Sequence, residues 1–124
     1  MNIDNNTISI RFFTRNLSDF ITEDQFILKE VRKKYKYENG QRTDTPIGYT
    51  LKCAVPDTYD LITVTVSLAF VISEDDIEAV NEHLLEEPLI VRLPIKETSV
   101  YPYEVKYGKA TVRIDAPKAE IVRV

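Results

Sequence analysis

Cationic and tyrosine side chains are concentrated in one stretch of the chain, residues 26–55. Seven basic residues against three acidic ones give this stretch a net charge of +4, whereas the whole chain carries −4. Proteins that bind single-stranded nucleic acid combine these residue types, because cations follow the phosphates and aromatic rings stack on the bases. The stretch is therefore a candidate nucleic-acid-binding surface. The predicted phosphate contacts are Arg32, Lys34, Lys36, Arg42 and Lys52, and the predicted stacking residues are Tyr37 and Tyr49.

The same residues also have a purely structural interpretation. Lys and Arg on the solvent face of a strand protect a sheet edge from pairing with other chains, and tyrosines in strands often pack in the core or against cross-strand neighbours. Composition alone leaves both interpretations open. The tyrosines of 101–107 are a further source of rings for the nucleic-acid interpretation.

Residue types that could carry catalysis or hold a metal are few. Metal sites need clusters of Cys, His or carboxylate ligands, and the chain has one His and one Cys. Cys53 is in phase with Leu51, which favours a small buried core residue, and a nucleophilic pair with His83 would require the fold to bring the two together. The seven carboxylates of 74–87 are typical of a solvated helix face. We therefore predict no catalytic activity, no cofactor and no metal; the alternative is an enzyme built on Cys53.

Length and composition indicate one soluble domain. A chain of 124 residues with 44% apolar and 29% charged residues can bury one core. The longest mainly apolar run, 61–72, is too short to cross a bilayer as a helix, and the N-terminus lacks the features of a secretory signal. A single cysteine excludes an intrachain disulfide and suits a reducing compartment. We therefore expect a cytoplasmic protein with no membrane association.

Alternation of polar and apolar residues predicts that the basic stretch is a pair of strands. In the strand 27–37, even positions carry charged side chains and odd positions such as Val31 and Tyr35 point to the core. Asn39-Gly40 is a strong turn signal, and the loop is expected to run on to Pro46. The return strand is 48–55. The predicted charged face comprises Glu30, Arg32, Lys34 and Lys36.

The remaining elements are one helix and several strands. Residues 61–72 alternate as a third strand, and Ser73 is a favoured N-cap for a helix over 74–86 that Pro88 would end. Further strands are predicted at 89–95, 109–115 and 118–124, with a loop or irregular strand at 96–107. Residues 1–25 are predicted to be a partly ordered N-terminal extension with a short strand at 7–13.

This order of elements predicts a mainly β fold. Three meandering strands, a helix between strands 3 and 4, and closing strands match an OB-like barrel of five to six strands over residues 26–124. A split sandwich or an unrelated α+β roll would give a similar order of strands and helix. In an OB-like barrel the basic hairpin would lie on the ligand-binding side.

Residues 32–66, RKKYKYENGQRTDTPIGYTLKCAVPDTYDLITVTV, also resemble a known group of proteins. The basic strand, "YENGQRTD", "GY", "ITVTV", the helix from Ser73 and "VYPY" resemble small OB-fold proteins of Gram-positive conjugative plasmids and elements. The resemblance covers about residues 28–124. It implies binding of single-stranded DNA, with replication or transfer proteins as possible partners, in support of replication, helicase action or transfer.

A different class of function stays open beside DNA binding. The chain could be a protein–protein adaptor or a structural subunit of a phage or transfer apparatus that uses an exposed sheet edge and the acidic helix. We expect a monomer or a small homo-oligomer in either case.

Overall fold

The computed structural model describes residues 13–122, and they form a mainly β fold with a single α-helix. The helix α1 (Glu74–Asn81) lies between the fourth and fifth strands. The strands are β1 (Arg15–Asn16), β2 (Gln25–Glu38), β3 (Gln41–Ala54), β4 (Leu61–Ser67), β5 (Ile90–Arg92), β6 (Ser99–Lys106), β7 (Lys109–Asp115) and β8 (Glu120–Val122).

All eight strands belong to one open sheet with the order β1-β6-β7-β4-β3-β2-β5-β8. Neighbouring strands are antiparallel except β4 and β7, which are parallel. The predicted mainly β class is confirmed, but the predicted closed barrel of five to six strands is wrong. The strands added to those predicted are β1, whose two residues are too few for alternation to be recognised, and β6, whose segment was predicted as a loop or irregular strand. The strands predicted at 89–95 and 118–124 are present but shorter, as β5 and β8.

The segment 96–107, which the sequence left as a loop or irregular strand, contains β6. Beyond Val100, the described part of the chain offers β6 only β7 as a neighbour, so Pro102 lies in an edge strand, where a missing N–H is tolerated. Tyr107 and Gly108, both with positive φ, form the tight turn to β7.

The β2–β3 hairpin is longer than predicted. Asn39 and Gly40 form its turn with φ values of 52° and 77°, and the strand β3 begins directly after them, so the predicted loop from 41 to 46 is wrong. The Thr43 hydroxyl donates a 2.7 Å hydrogen bond to the carbonyl oxygen of Lys36 on the opposite strand of the hairpin. Because β3 pairs with β4 only from Gly48 to Ala54, the end of the hairpin extends beyond the sheet.

One row of buried side chains crosses the four central strands and fixes which face is the core. Val31 pairs with Leu51, Leu51 with Val64, and Val64 with Ile114, and all four are buried. Cys53 lies in the same core with no exposed surface, which confirms its predicted burial.

The helix α1 closes over this core and is shorter than predicted. The Ser73 hydroxyl accepts the Asp76 amide at 3.0 Å, as expected of an N-cap. The helix ends at Asn81, not at 86, and His83 follows with a φ of 56°. The Asn81 side chain exchanges two 2.9 Å hydrogen bonds with the backbone of Val31, which joins the end of the helix to β2.

Two predicted boundaries also change around the helix and the N-terminus. The strand β4 ends at Ser67 and not at 72, because the chain turns there and buries Phe70 in the core. At the N-terminus β1 pairs with β6, and Leu17 is buried. The strand predicted at 7–13 lies outside the described residues except for its last position.

Candidate nucleic-acid interface

A polar row runs across the same four strands on the face opposite the core. Arg32 pairs with Thr50, Thr50 with Thr65, and Thr65 with Asp115. Directly paired residues point to the same side of a sheet, and successive residues alternate. This row therefore lies one residue away from the buried row on each strand, on the outward face.

Two flanking rows extend this outward face, which we call the cationic face. One joins Glu30 to Lys52 and Thr63, and the other joins Lys34 to Gly48 and Ser67. The cationic face comprises Glu30, Arg32, Lys34, Thr50, Lys52, Thr63, Thr65, Ser67, Arg113 and Asp115. Its four basic residues against two acidic ones give it a net charge of +2.

Neutralisation within the cationic face is incomplete. Glu30 contacts Arg32 and also lies 3.7 Å from the Lys52 ammonium, so one carboxylate serves two cations. Lys34 has no ion-pair partner among residues 13–122. An anionic ligand could therefore replace or supplement these contacts, because exposed ion pairs contribute at most about 1 kcal/mol each.

The end of the hairpin carries Arg42, Tyr35 and Tyr37. The guanidinium carbon of Arg42 lies 4.2 Å from the centroid of the Tyr35 ring, a cation–π contact. Tyr37 pairs with Arg42 across the ribbon and is 67% exposed. Lys36 lies 3.3 Å from Glu38. The predicted residues Arg42 and Tyr37 are thus neighbours at the exposed end of the hairpin, whereas the prediction that Tyr35 points to the core is wrong, because the register of β2 on β3 shifts on both sides of it.

Tyr49 does not lie on the cationic face. It pairs with Lys33 on one side and Val66 on the other, and its ring makes an edge contact with Phe70 at 5.8 Å between centroids. It therefore faces the core side, away from Arg32. Tyr49 lies two residues before the buried Leu51, so alternation along the strand already indicates that it faces the core side and that the predicted stacking role is wrong for this face.

Lys33 lies on the same side of the sheet as Tyr49 and forms an ion pair with the helix α1. Its ammonium lies 2.6 Å from the Glu74 carboxylate at the start of α1. The hydrogen bond to Glu74 raises the pKa of Lys33 above its ordinary value. This contact separates Lys33 from the neighbouring cations of the outward face.

A cleft of about 740 Å³ continues the cationic face toward β6 and β7. It contains Thr63 and Thr65 of β4 and Tyr101 and Tyr103 of β6, with Arg113 from β7. Adjoining depressions share Thr63 with it on one side and Thr65 and Arg113 on the other, so the surface is continuous. Arg113 was missed in the sequence because it is an isolated cation far along the chain from the basic hairpin.

Asp115 lies beside this cleft and bonds two of the residues that line it. Its carboxylate accepts the Tyr101 hydroxyl at 3.1 Å and the Arg113 Nε at 2.9 Å. The hydrogen bond to Asp115 raises the pKa of the Arg113 guanidinium, which stays charged. Within residues 13–122, the terminal nitrogens of Arg113 form no hydrogen bond and no ion pair, since both involve its Nε.

The two residues considered for a nucleophilic pair, Cys53 and His83, lie in different surroundings. Burial raises the pKa of the Cys53 thiol to about 12, so the nucleophilic thiolate is disfavoured. His83 is exposed on the segment after α1. Over residues 13–122, no group of three or more His, Cys, Asp or Glu side chains is placed to hold a metal ion. None of the described helices has the length and apolarity that crossing a membrane requires.

Comparison of the chain with protein-family models, with curated proteins and with solved structures found no match.

Proposed function

We propose that this protein binds single-stranded nucleic acid, with DNA as the first candidate, and catalyses no reaction. The observation that carries the proposal is the polar row Arg32–Thr50–Thr65–Asp115 with its flanking cations. It forms an extended, net positive surface on an otherwise acidic chain, and it is continuous with a cleft that contains tyrosines. Cations along a groove with rings beside them are the features that bind single strands without strong sequence preference.

The biological setting of the proposal comes from the sequence resemblance. Small OB-fold proteins of conjugative plasmids and elements suggest a cytoplasmic role in replication or transfer of a mobile element. Replication or transfer proteins would then be partners, and the binding unit would be a monomer or a small homo-oligomer.

Fluorescence anisotropy with a labelled single-stranded oligonucleotide tests the binding. The double variant Lys34→Ala/Lys52→Ala removes two cations from the face and should weaken binding roughly threefold to thirtyfold, since each exposed charge pair contributes up to about 1 kcal/mol. The control Lys96→Ala/Lys118→Ala makes the same charge change away from the face and should bind nearly as wild type. Equal loss in both doubles would show a nonspecific charge effect and refute the site.

A second candidate function, a protein–protein adaptor, is favoured by exposed apolar side chains on the β6–β7 hairpin. Val105 is 60% exposed and Tyr107 98% exposed. Beyond Ile114 and Asp115, β7 has no partner other than β6 within the described residues. If wild-type protein fails to bind any oligonucleotide at low salt but forms a complex of defined mass with a partner protein, the adaptor function is correct.

A further inference from the structure

The cleft between β4 and the β6–β7 hairpin has the features of a nucleotide subsite. Its volume of about 740 Å³ lies within the range of about 300–1,000 Å³ found for ligand pockets. Threonines from β4 and β7 supply hydroxyl groups, and Tyr101 and Tyr103 supply rings. No residue of the cleft belongs to the basic hairpin that dominates the sequence.

Tyr103 lines the cleft at an irregularity in its strand. The register of β6 on β7 shifts between Pro102 and Glu104, so Tyr103 has no direct partner. Bulges of this kind redirect a side chain and are frequent beside functional sites. The Tyr103 side chain is 56% exposed while lining the cleft, so one side of the ring is available to a ligand.

Arg113 is held by its Nε, so the N–H groups on its two terminal nitrogens can bind a ligand. Asp115 accepts its Nε, and Tyr101 holds the other carboxylate oxygen, so the guanidinium is oriented at one edge. An arginine has five N–H donors, of which the four on the terminal nitrogens form a planar fork. Such a fork matches two acceptors side by side, as in a phosphate or the O6/N7 edge of guanine.

We infer that this cleft binds one nucleotide of a single strand, with its base stacked on Tyr103 and a pair of acceptor atoms on the Arg113 fork. The inference rests on the proposed function and adds to it the unit that is recognised and the residues that recognise it. The remaining strand then passes along Thr63 and Thr65 onto the cations of β2 and β3, since the depressions are continuous.

Photocrosslinking tests the contact directly on the wild-type protein. An oligonucleotide containing 5-iodo-2′-deoxyuridine, which crosslinks to nearby aromatic side chains on irradiation, should attach to Tyr103 or Tyr101, as located by mass spectrometry. Crosslinks confined to Tyr37 or to the helix would overturn the inference.

Affinity measurements supply the second test. Tyr103→Ala and Arg113→Ala should each weaken oligonucleotide binding at least about fivefold, the effect of losing a stacked base or a bidentate contact. Tyr103→Phe should bind as wild type, because a phenyl ring also stacks. The matched controls Tyr107→Ala and Lys109→Ala lie on the same hairpin outside the cleft and should change binding less than twofold.

The outcomes separate this inference from the proposed function. If wild type binds and Lys34→Ala/Lys52→Ala weakens binding, but Tyr103→Ala and Arg113→Ala do not, the subsite is wrong and the function stands. If wild type does not bind at all, both are wrong. A preference for guanine that Arg113→Lys abolishes assigns the fork to a base edge. If no base is preferred, weaker binding of both Tyr103→Ala and Arg113→Ala assigns the fork to a phosphate and supports the subsite.

Discussion

Cys53 shows how position decides the chemistry of a single side chain. The residue sits in the core between paired strands, and burial raises the pKa of its thiol to about 12. Its alternation with Leu51 predicted this environment, because every second residue of β3 in that segment faces the core. Tyr49 follows the same alternation, so its place in the strand, and not its residue type, determines that it lies on the core side.

We predict that Cys53 reacts slowly with iodoacetamide at pH 8 in the native protein and rapidly after unfolding in urea. The reason is that the buried thiol keeps its proton and is inaccessible. Equal labelling rates in the two states would contradict the burial.

The same pKa predicts a loss of stability at alkaline pH. Below about pH 9 the thiol is protonated in both states, but between about pH 9 and pH 12 the unfolded chain loses the proton that the folded chain retains. The free energy of unfolding contributed by Cys53 therefore falls as pH rises, by up to about 1.4 kcal/mol per pH unit in that interval. Cys53→Ala should remove this contribution, so the slope of stability against pH between 9 and 11 should be smaller in the variant.

Among the elements, the β2–β3 hairpin depends on one close approach between backbones. At Gly48, the first residue of β3 that pairs with β4, an added Cβ would overlap the Val66 carbonyl oxygen. A glycine there lets β3 lie against β4 while the rest of the hairpin extends beyond the sheet. Its backbone does not need positive φ, in contrast to Gly40 in the turn.

We predict that Gly48→Ala lowers the free energy of unfolding by about 1–3 kcal/mol, the usual cost of forcing an extra group into a packed site. Urea denaturation measures this. Thr50→Ala, two residues further along the same strand on the same face, is the control and should cost less than about 1 kcal/mol. A Gly48→Ala protein as stable as the control would show that the two strands can separate without cost.

Most of the strands and the start of the helix could be predicted from the sequence, but the ends of several elements and the strands β1 and β6 could not. Alternation over many residues revealed β2, β4 and β7, and Ser73 located the start of α1. The end of α1 depends on Asn81 bonding the backbone of a strand 50 residues away, which no local pattern contains. The strand β1 and the short extents of β5 and β8 within their predicted segments depend on the backbone partners that neighbouring strands offer, so they are tertiary effects.

For the whole molecule, the sheet order explains why a candidate surface predicted on one hairpin extends over several strands. The parallel pairing of β7 with β4 brings Arg113 and Asp115 beside Thr65, although about two fifths of the chain separates them in sequence. The sequence located the cations of β2 and β3, since they cluster in one stretch. It could not locate those of β7, whose position depends on a crossover that only the fold defines.

If the cationic face binds the phosphates of a single strand, the affinity of the wild-type protein for an oligonucleotide must fall as salt is added, which a salt titration measures. Each phosphate contact to a single strand lowers the slope of log K against log salt concentration by about 0.7. Three to five contacts on the cationic face and the hairpin end predict a linear plot with a slope of about −2 to −3.5. Absence of binding at low salt, or an affinity that does not change with added salt, would contradict the account.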